Sequence, residues 1–170
     1  APTPQTIDHL HQGRIDFGVV TKPVEVDSKF DITCVRKIQD VFVAGDKFRY
    51  LKGKKLDYKE LSTLPLICLE GDTSTRKYVD SYLEERKVSV TPEFELATSD
   101  MIVQFAMRNL GIGCVVEDFA KKQIDSGELF RLEFKNQIPE RDMCLLTDQR
   151  STMSVAAAKL LELLREANTN

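Results

Sequence analysis

A chain of 170 residues with 42% hydrophobic and 30% charged positions has the balance of an ordinary globular protein, which excludes disordered, collagenous and disulfide-scaffold classes. Its 24 Lys and Arg residues against 27 Asp and Glu residues leave a net charge of −3 with both signs interspersed, so no broad electrostatic footprint for nucleic acid is present. No apolar run reaches the roughly 18 to 20 residues a membrane helix needs, and the opening APTPQTIDHLHQ has no charged region followed by an apolar one, so neither membrane insertion nor export is expected. The four cysteines lie inside apolar runs (ITCV, LICL, IGCVV, MCLL) without a CxxC, and read as reduced, buried thiols of a cytoplasmic protein. Ala1 is not an initiating Met, and the expectation is that the natural gene encodes residues before it.

In chain order, Thr3 followed by Pro4 starts a first helix that Gly13 closes, and residues 15–20 (IDFGVV) form a nearly continuous apolar run expected to be a buried parallel strand. FDITCVRKI and DVFVAG are two further strands; residues 46–55 are polar and basic, and residues 56–61 hold at most one or two helical turns. LPLICL is a buried strand. It leads through GDTSTR into a helix that starts at Thr73 or Ser74, with Tyr78, Val79, Tyr82 and Leu83 on one face. The same unit recurs: a short strand at residues 94–96, then a helix capped by Ser99 and Asp100 and ended by Gly111, then the strand IGCVV. A helix over residues 118–126 stops at Gly127, residues 130–134 alternate, DMCLLT is a last strand, and residues 151–167 form an amphipathic helix on Val155, Ala156, Leu160, Leu163 and Leu164. Strands alternating with helices make an α/β fold with mixed sheets.

Catalytic constellations are scarce. The only histidines, His9 and His11, sit two apart on a helix and point to different sides, so a metal site or a histidine triad lacks its parts, and neither cofactor nor enzymatic activity is expected. Ser74 and Ser99 precede helices but lie in no G-x-S-x-G elbow. Gly71-Asp72-Thr73-Ser74-Thr75-Arg76 places three hydroxyls at the carboxyl end of the LPLICL strand, where α/β sheets bind ligands, and at a helix N-terminus suited to a carboxylate, phosphate or sulfate. The same hydroxyls also suffice as an ordinary helix cap, and local spacing leaves both readings open. Thr98-Ser99-Asp100 is a second such mouth, and Thr21-Lys22 is another polar strand end. The pattern does not say whether these ends converge.

Helix, Gly13-Arg14-Ile15-Asp16-Phe17-Gly18-Val19-Val20, Asp40-Val41-Phe42-Val43, Glu60-Leu61, Leu64-Pro65-Leu66-Ile67, Thr73-Ser74-Thr75-Arg76, Phe105-Ala106, Asn109-Leu110-Gly111-Ile112-Gly113 and Gly127-Glu128-Leu129 follow in an order that resembles the effector-binding domain of LysR-type transcriptional regulators. The resemblance runs over nearly the whole chain. It implies a type 2 periplasmic-binding-protein-like fold of two interleaved α/β lobes joined by a two-crossing hinge, with the first lobe at residues 1–65 and 148–170 and the second at 66–147. It further implies a small, anionic effector held by Thr21, Lys22, Thr73, Ser74, Thr75, Thr98 and Ser99; Glu117, which stands where many members of the family place proline, is a departure that leaves both an anion and a cationic group open at that edge of the site. A homo-oligomer is implied, as is contact with promoter DNA only through a winged helix-turn-helix absent from this chain. Segments at the start of the first lobe are expected to be missing too. The alternative is a transporter's solute-binding protein of the same fold.

Overall fold

The computed structural model of the chain describes residues 3–12, 17–21, 28–148, 155, 158–160 and 162–163. In order, the elements are α1 (Thr3–His11), β1 (Phe17–Thr21), β2 (Phe30–Ile38), β3 (Asp40–Ala44), β4 (Lys55–Leu56), β5 (Leu66–Leu69), α2 (Ser74–Glu85) and β6 (Phe94–Leu96). There follow α3 (Ser99–Met107), β7 (Ile112–Val116), α4 (Lys121–Ser126), β8 (Phe130–Arg131), β9 (Glu133–Phe134) and β10 (Arg141–Asp148). Turns of 3₁₀ helix cover Asp46–Leu51, Tyr58–Thr63 and Glu117–Phe119.

The chain divides into two compact units, Ala1–Ile38 with Arg141–Asn170, and Gln39–Glu140. The crossings therefore fall at 38/39 and 140/141, and not at the 65/66 and 147/148 positions expected from the sequence. Packing accounts for the difference: β3 and the two 3₁₀ turns that follow it bury Phe42, Phe48, Leu51, Tyr58 and Leu61 in the same cluster as Leu66, Leu83 and Ile112. Cutting at residue 65 would split that core.

In the first unit, β1, β10 and β2 form an antiparallel sheet in the order β1-β10-β2. The expected parallel, fully buried strand is thus corrected: β1 runs antiparallel to β10, with Phe17 opposite Thr147, and Val19 is 46% exposed while Val20 is 2% exposed. A sheet covered on one face alternates in burial, and apolar composition alone does not reveal which partner strand arrives or from which direction. Helix α1 covers the face carrying Val20, Cys144 and Leu146 through Ile7 and Leu10. Cys34 and Cys144 are register partners on β2 and β10 and are joined by a disulfide, which corrects the reading of four reduced thiols. The partners are 110 residues apart, so no spacing motif marks them. Cys68 and Cys114 are buried and take no part in a disulfide. Gly13 and most of the expected terminal helix lie outside the described residues; residues 155, 158–160 and 162–163 are helical, with Val155, Leu160 and Leu163 exposed.

In the second unit, five strands run in the order β6-β5-β7-β3-β8. β5 is parallel to β6 and β7, while β3 is antiparallel to β7 and β8. Alternate residues of β3, β5 and β7 enter two cores: Phe42, Leu66, Cys68, Ile112 and Cys114 pack under α2, and Val41, Val43, Ile67, Leu69 and Val115 pack under α3. Burial on both faces is why LPLICL and IGCVV read as unbroken apolar runs. A two-stranded parallel sheet of β4 and β9 adds Leu56 and Phe134 to the first of these cores.

Helix ends follow local chemistry. Thr73 caps α2, and Thr98 caps α3, in place of the expected Ser99 and Asp100. Asn109, at φ 61°, adopts the left-handed conformation just past α3, so the expected stop at Gly111 comes two residues early. Gly111 is required instead for close approach, because a Cβ there would lie 2.7 Å from the Pro65 carbonyl oxygen. Gly127, at φ 83°, ends α4 as expected.

Candidate functional site

The carboxyl ends of the parallel strands β5, β6 and β7 open onto α2, α3 and the Glu117 turn respectively, which gathers Thr73, Ser74, Thr75, Thr98, Ser99 and Glu117 along one edge of the second unit's sheet. Two of the hydroxyls have helix-capping work. Thr73 Oγ1 donates to the Glu70 carbonyl at 2.8 Å and accepts from the Arg76 backbone N–H at 3.2 Å. Thr98 Oγ1 accepts from the Met101 backbone N–H at 3.3 Å. The cap reading therefore holds for Thr73 and Thr98, whereas Ser74, Thr75 and Ser99 stand half-buried in the first turns, at the positive ends of two helix dipoles.

Arg76 belongs to the fold at this edge. Its Nε donates to both carboxylate oxygens of Asp80, at 3.1 and 2.9 Å, and its Nη1 donates to the Leu69 carbonyl at 3.0 Å and pairs with Glu95 at 3.4 Å. Burial works to lower its pKa, yet Asp80, Cys68 and Glu95 leave it raised on balance. One side chain thus ties α2 to β5 and β6. Glu117, expected at the edge of the ligand site, is engaged: its carboxylate accepts a hydrogen bond from Arg131, 14 residues on, with both side chains about one-third exposed.

Thr21 ends β1 in the first unit, where its Oγ1 accepts a hydrogen bond from Arg141 Nη1 at 2.9 Å. Arg141 is only 4% exposed and escaped the sequence reading. The available signal was an arginine opening the strand RDMCLLTD, since a guanidinium that is buried must be partnered. Lys22 lies outside the described residues. Among the described residues no group of three or more His, Cys, Asp and Glu side chains could hold a metal ion, and no helix is long and apolar enough to cross a membrane.

Beneath this edge, burial pushes the Cys68 thiol up to about 11, against an opposing pull from Arg76. Because the folded state holds this proton more tightly than the unfolded one, its contribution to stability is complete below the ordinary thiol pKa of 9.0 and is lost as pH rises toward about 11. Iodoacetamide at pH 8 is expected to spare Cys68 in the native protein and modify it in denaturant. Rapid native labelling, located by peptide mass spectrometry, would contradict this.

Two α/β units joined by two crossings, with helix N-termini opening at the carboxyl ends of parallel strands, define the type 2 periplasmic-binding-protein-like class. The chain belongs to the LysR substrate binding domain family, whose profile matches residues 1–169. Among curated proteins it is 22% identical to the HTH-type transcriptional activator CmpR of Synechocystis sp. PCC 6803, over 94% of this chain and 52% of CmpR. Among solved structures it resembles the Synechocystis PCC 6803 CcmR regulatory domain in complex with 2-PG, with TM-score 0.85 and 19% identity over 100% of this chain and 81% of that one. It likewise resembles the effector-binding domain of QuiR in complex with shikimate, with TM-score 0.81 and 14% identity over 99% of this chain and 79% of that one. The chain spans about half the length of the curated relatives it matches.

Proposed function

We propose that this chain is the effector-sensing domain of a LysR-type transcriptional regulator, and that its effector is a small molecule bearing an anionic group. The observation that carries the reading is the pairing of two helix mouths, Thr73-Ser74-Thr75 and Thr98-Ser99, at the carboxyl ends of the adjacent parallel strands β5 and β6. Backbone N–H groups and neutral hydroxyls at a helix N-terminus bind an anion without burying a full opposite charge. Relatives of this fold in complex with 2-PG and shikimate support a small-molecule ligand. Thr21, Lys22 and Glu117 complete the proposed set.

In the whole regulator, effector binding favours one arrangement of the two units and so shifts the population of DNA-binding states in a cytoplasmic homo-oligomer. Affinity alone is not enough; the effector must discriminate between arrangements. DNA contact belongs to a winged helix-turn-helix outside this chain, and no catalytic step is assigned.

Calorimetric titration with shikimate, other small organic acids and sulfate tests the site. Hydrogen bonds to charged groups contribute about 1.5 to 3 kcal/mol each, so Ser74→Ala is expected to weaken binding by about tenfold or more. Thr73→Ala is expected in addition to cost about 1 kcal/mol of stability, because it removes the α2 cap. An acid that binds wild type, Ser74→Ala and Thr75→Ala with equal affinity would overturn this placement of the effector.

A further inference from the structure

We propose that the second unit carries a second anion-binding site, formed by Lys59, Arg86 and Lys135, that takes a small organic anion whose carboxylate or phosphate is attached to a flat apolar body. The site is a cavity of about 260 Å³ with walls that include Leu56, Tyr58 and Val88. It does not depend on the proposed effector reading. Arg86 and Val88 follow the carboxyl end of α2, whereas Thr73, Ser74 and Thr75 sit at its amino end. Twelve helical residues at about 1.5 Å each separate the two by roughly 18 Å.

Charge and preorganisation both favour an anion there. Three cations line the cavity against a single carboxylate, Asp57, which is held in a capping box: its Oδ1 accepts from the Lys59 backbone N–H at 3.0 Å, and its own N–H donates to Glu60 at 2.8 Å. Among the described residues neither Lys59 nor Lys135 has a side-chain ion-pair partner. Arg86 Cζ lies over the Tyr82 ring, 3.5 Å from its centroid, and its Nη1 donates to the Tyr82 carbonyl at 3.1 Å; among the described residues Glu85 is its only ion-pair partner, 3.9 Å away and 77% exposed. A guanidinium fixed in this way loses little freedom on binding.

The negative end of the α2 dipole would oppose an anion, but the Tyr82, Leu83 and Glu84 carbonyls near it are occupied. The Leu83 carbonyl accepts from the Arg86 and Val88 N–H groups, and the Glu84 carbonyl accepts from Lys87, which turns left-handed at φ 59° to reach it. The apolar wall is equally firm: Tyr58 stacks on Phe134 with centroids 4.1 Å apart and planes 6° apart, and its hydroxyl donates to the Asn136 carbonyl at 2.6 Å. Drug-sized ligands occupy pockets from roughly 300 Å³ upward, so this one suits a single-ring anion.

Phenyl phosphate, benzoate and inorganic phosphate are the probes, with backbone amide shifts of Lys59, Val88 and Asn136 as the local readout on the whole chain. Saturable shifts at these amides are expected with phenyl phosphate or benzoate, and whichever binds more tightly identifies the headgroup. Lys59→Gln with Lys135→Gln is expected to weaken that binding by about tenfold or more at unchanged melting temperature, since both side chains are exposed. Ser74→Ala is expected to leave it untouched, which separates this site from the effector mouth. Absence of saturable shifts, undiminished binding in the double variant, or equal affinity for inorganic phosphate would each overturn the assignment.

Discussion

Reduction of the Cys34–Cys144 bond is expected to destabilise the chain by roughly 2 to 5 kcal/mol, the range for native disulfides that close long loops. The bond joins β2 to β10 across a sequence separation of 110 residues, and both strands border the crossings between the two units. Cross-linking residues so far apart removes many conformations from the unfolded chain, while the antiparallel register from Arg141 opposite Ile38 to Asp148 opposite Phe30 already holds the folded partners side by side. Thiol titration in denaturant should count two groups, Cys68 and Cys114, before reduction and all four after it. A thermal melt should then fall with reductant in wild type and not in Cys34→Ser with Cys144→Ser. Four thiols titrating without reductant, or a melt indifferent to it, would show that the bond does not form in solution. Run in a glutathione buffer of cytosolic poise, the titration also reports which state a reducing compartment maintains.

The second large effect lies where α3 seats on the sheet. Ile102 is fully buried, and its Cγ2 would come within 2.8 Å of a Cβ placed on Gly113 of β7, with Ala106 and Val43 each 3.5 Å from that Cβ. Ile102→Ala is expected to cost about 2 to 5 kcal/mol through lost burial and the cavity left behind. Gly113→Ala is expected to cost about 1 to 3 kcal/mol by overpacking. The double variant is the informative one: the new methyl at 113 enters the space Ile102 vacates, so the combined loss should fall short of the sum by about 1 kcal/mol or more. Urea melts of all four proteins measure the cycle, and strict additivity would mean that α3 moves off the sheet instead of packing through this contact. The same seating sets where Thr98 and Ser99 stand, so Gly113→Ala should also weaken any ligand held at that mouth.

Much of the site was legible because its signals are local. Thr73 is legible as a candidate cap of α2, the apolar runs LPLICL and IGCVV announce strands buried on both faces, and Gly127 announces the end of α4. The order of these segments also sufficed to place the chain in its family. For α3 the sequence points to Ser99 and Asp100, one and two positions past the Thr98 that caps it, since Thr, Ser and Asp all serve as caps and only backbone geometry chooses among them.

Sequence by itself therefore determined the main strands and helices, their order and the polar helix mouths, each set by residues within about one helical turn of one another, while the short strand β4 at Lys55–Leu56 and the split of residues 130–134 into β8 and β9 came only with the structure. Tertiary structure alone decided that β1 runs antiparallel to β10, that the units part at 38/39 and 140/141, and that Cys34 meets Cys144. It also decided which partners the polar side chains take within the fold. Glu117 pairs with Arg131 from 14 residues away, Thr21 with Arg141 from 120 residues away, and Arg76 folds back onto Asp80, Leu69 and Glu95. A side chain's type states what it can bond to; which partner it finds depends on strand register and packing direction, and those are fixed by burial summed over the whole chain rather than by its neighbours in sequence.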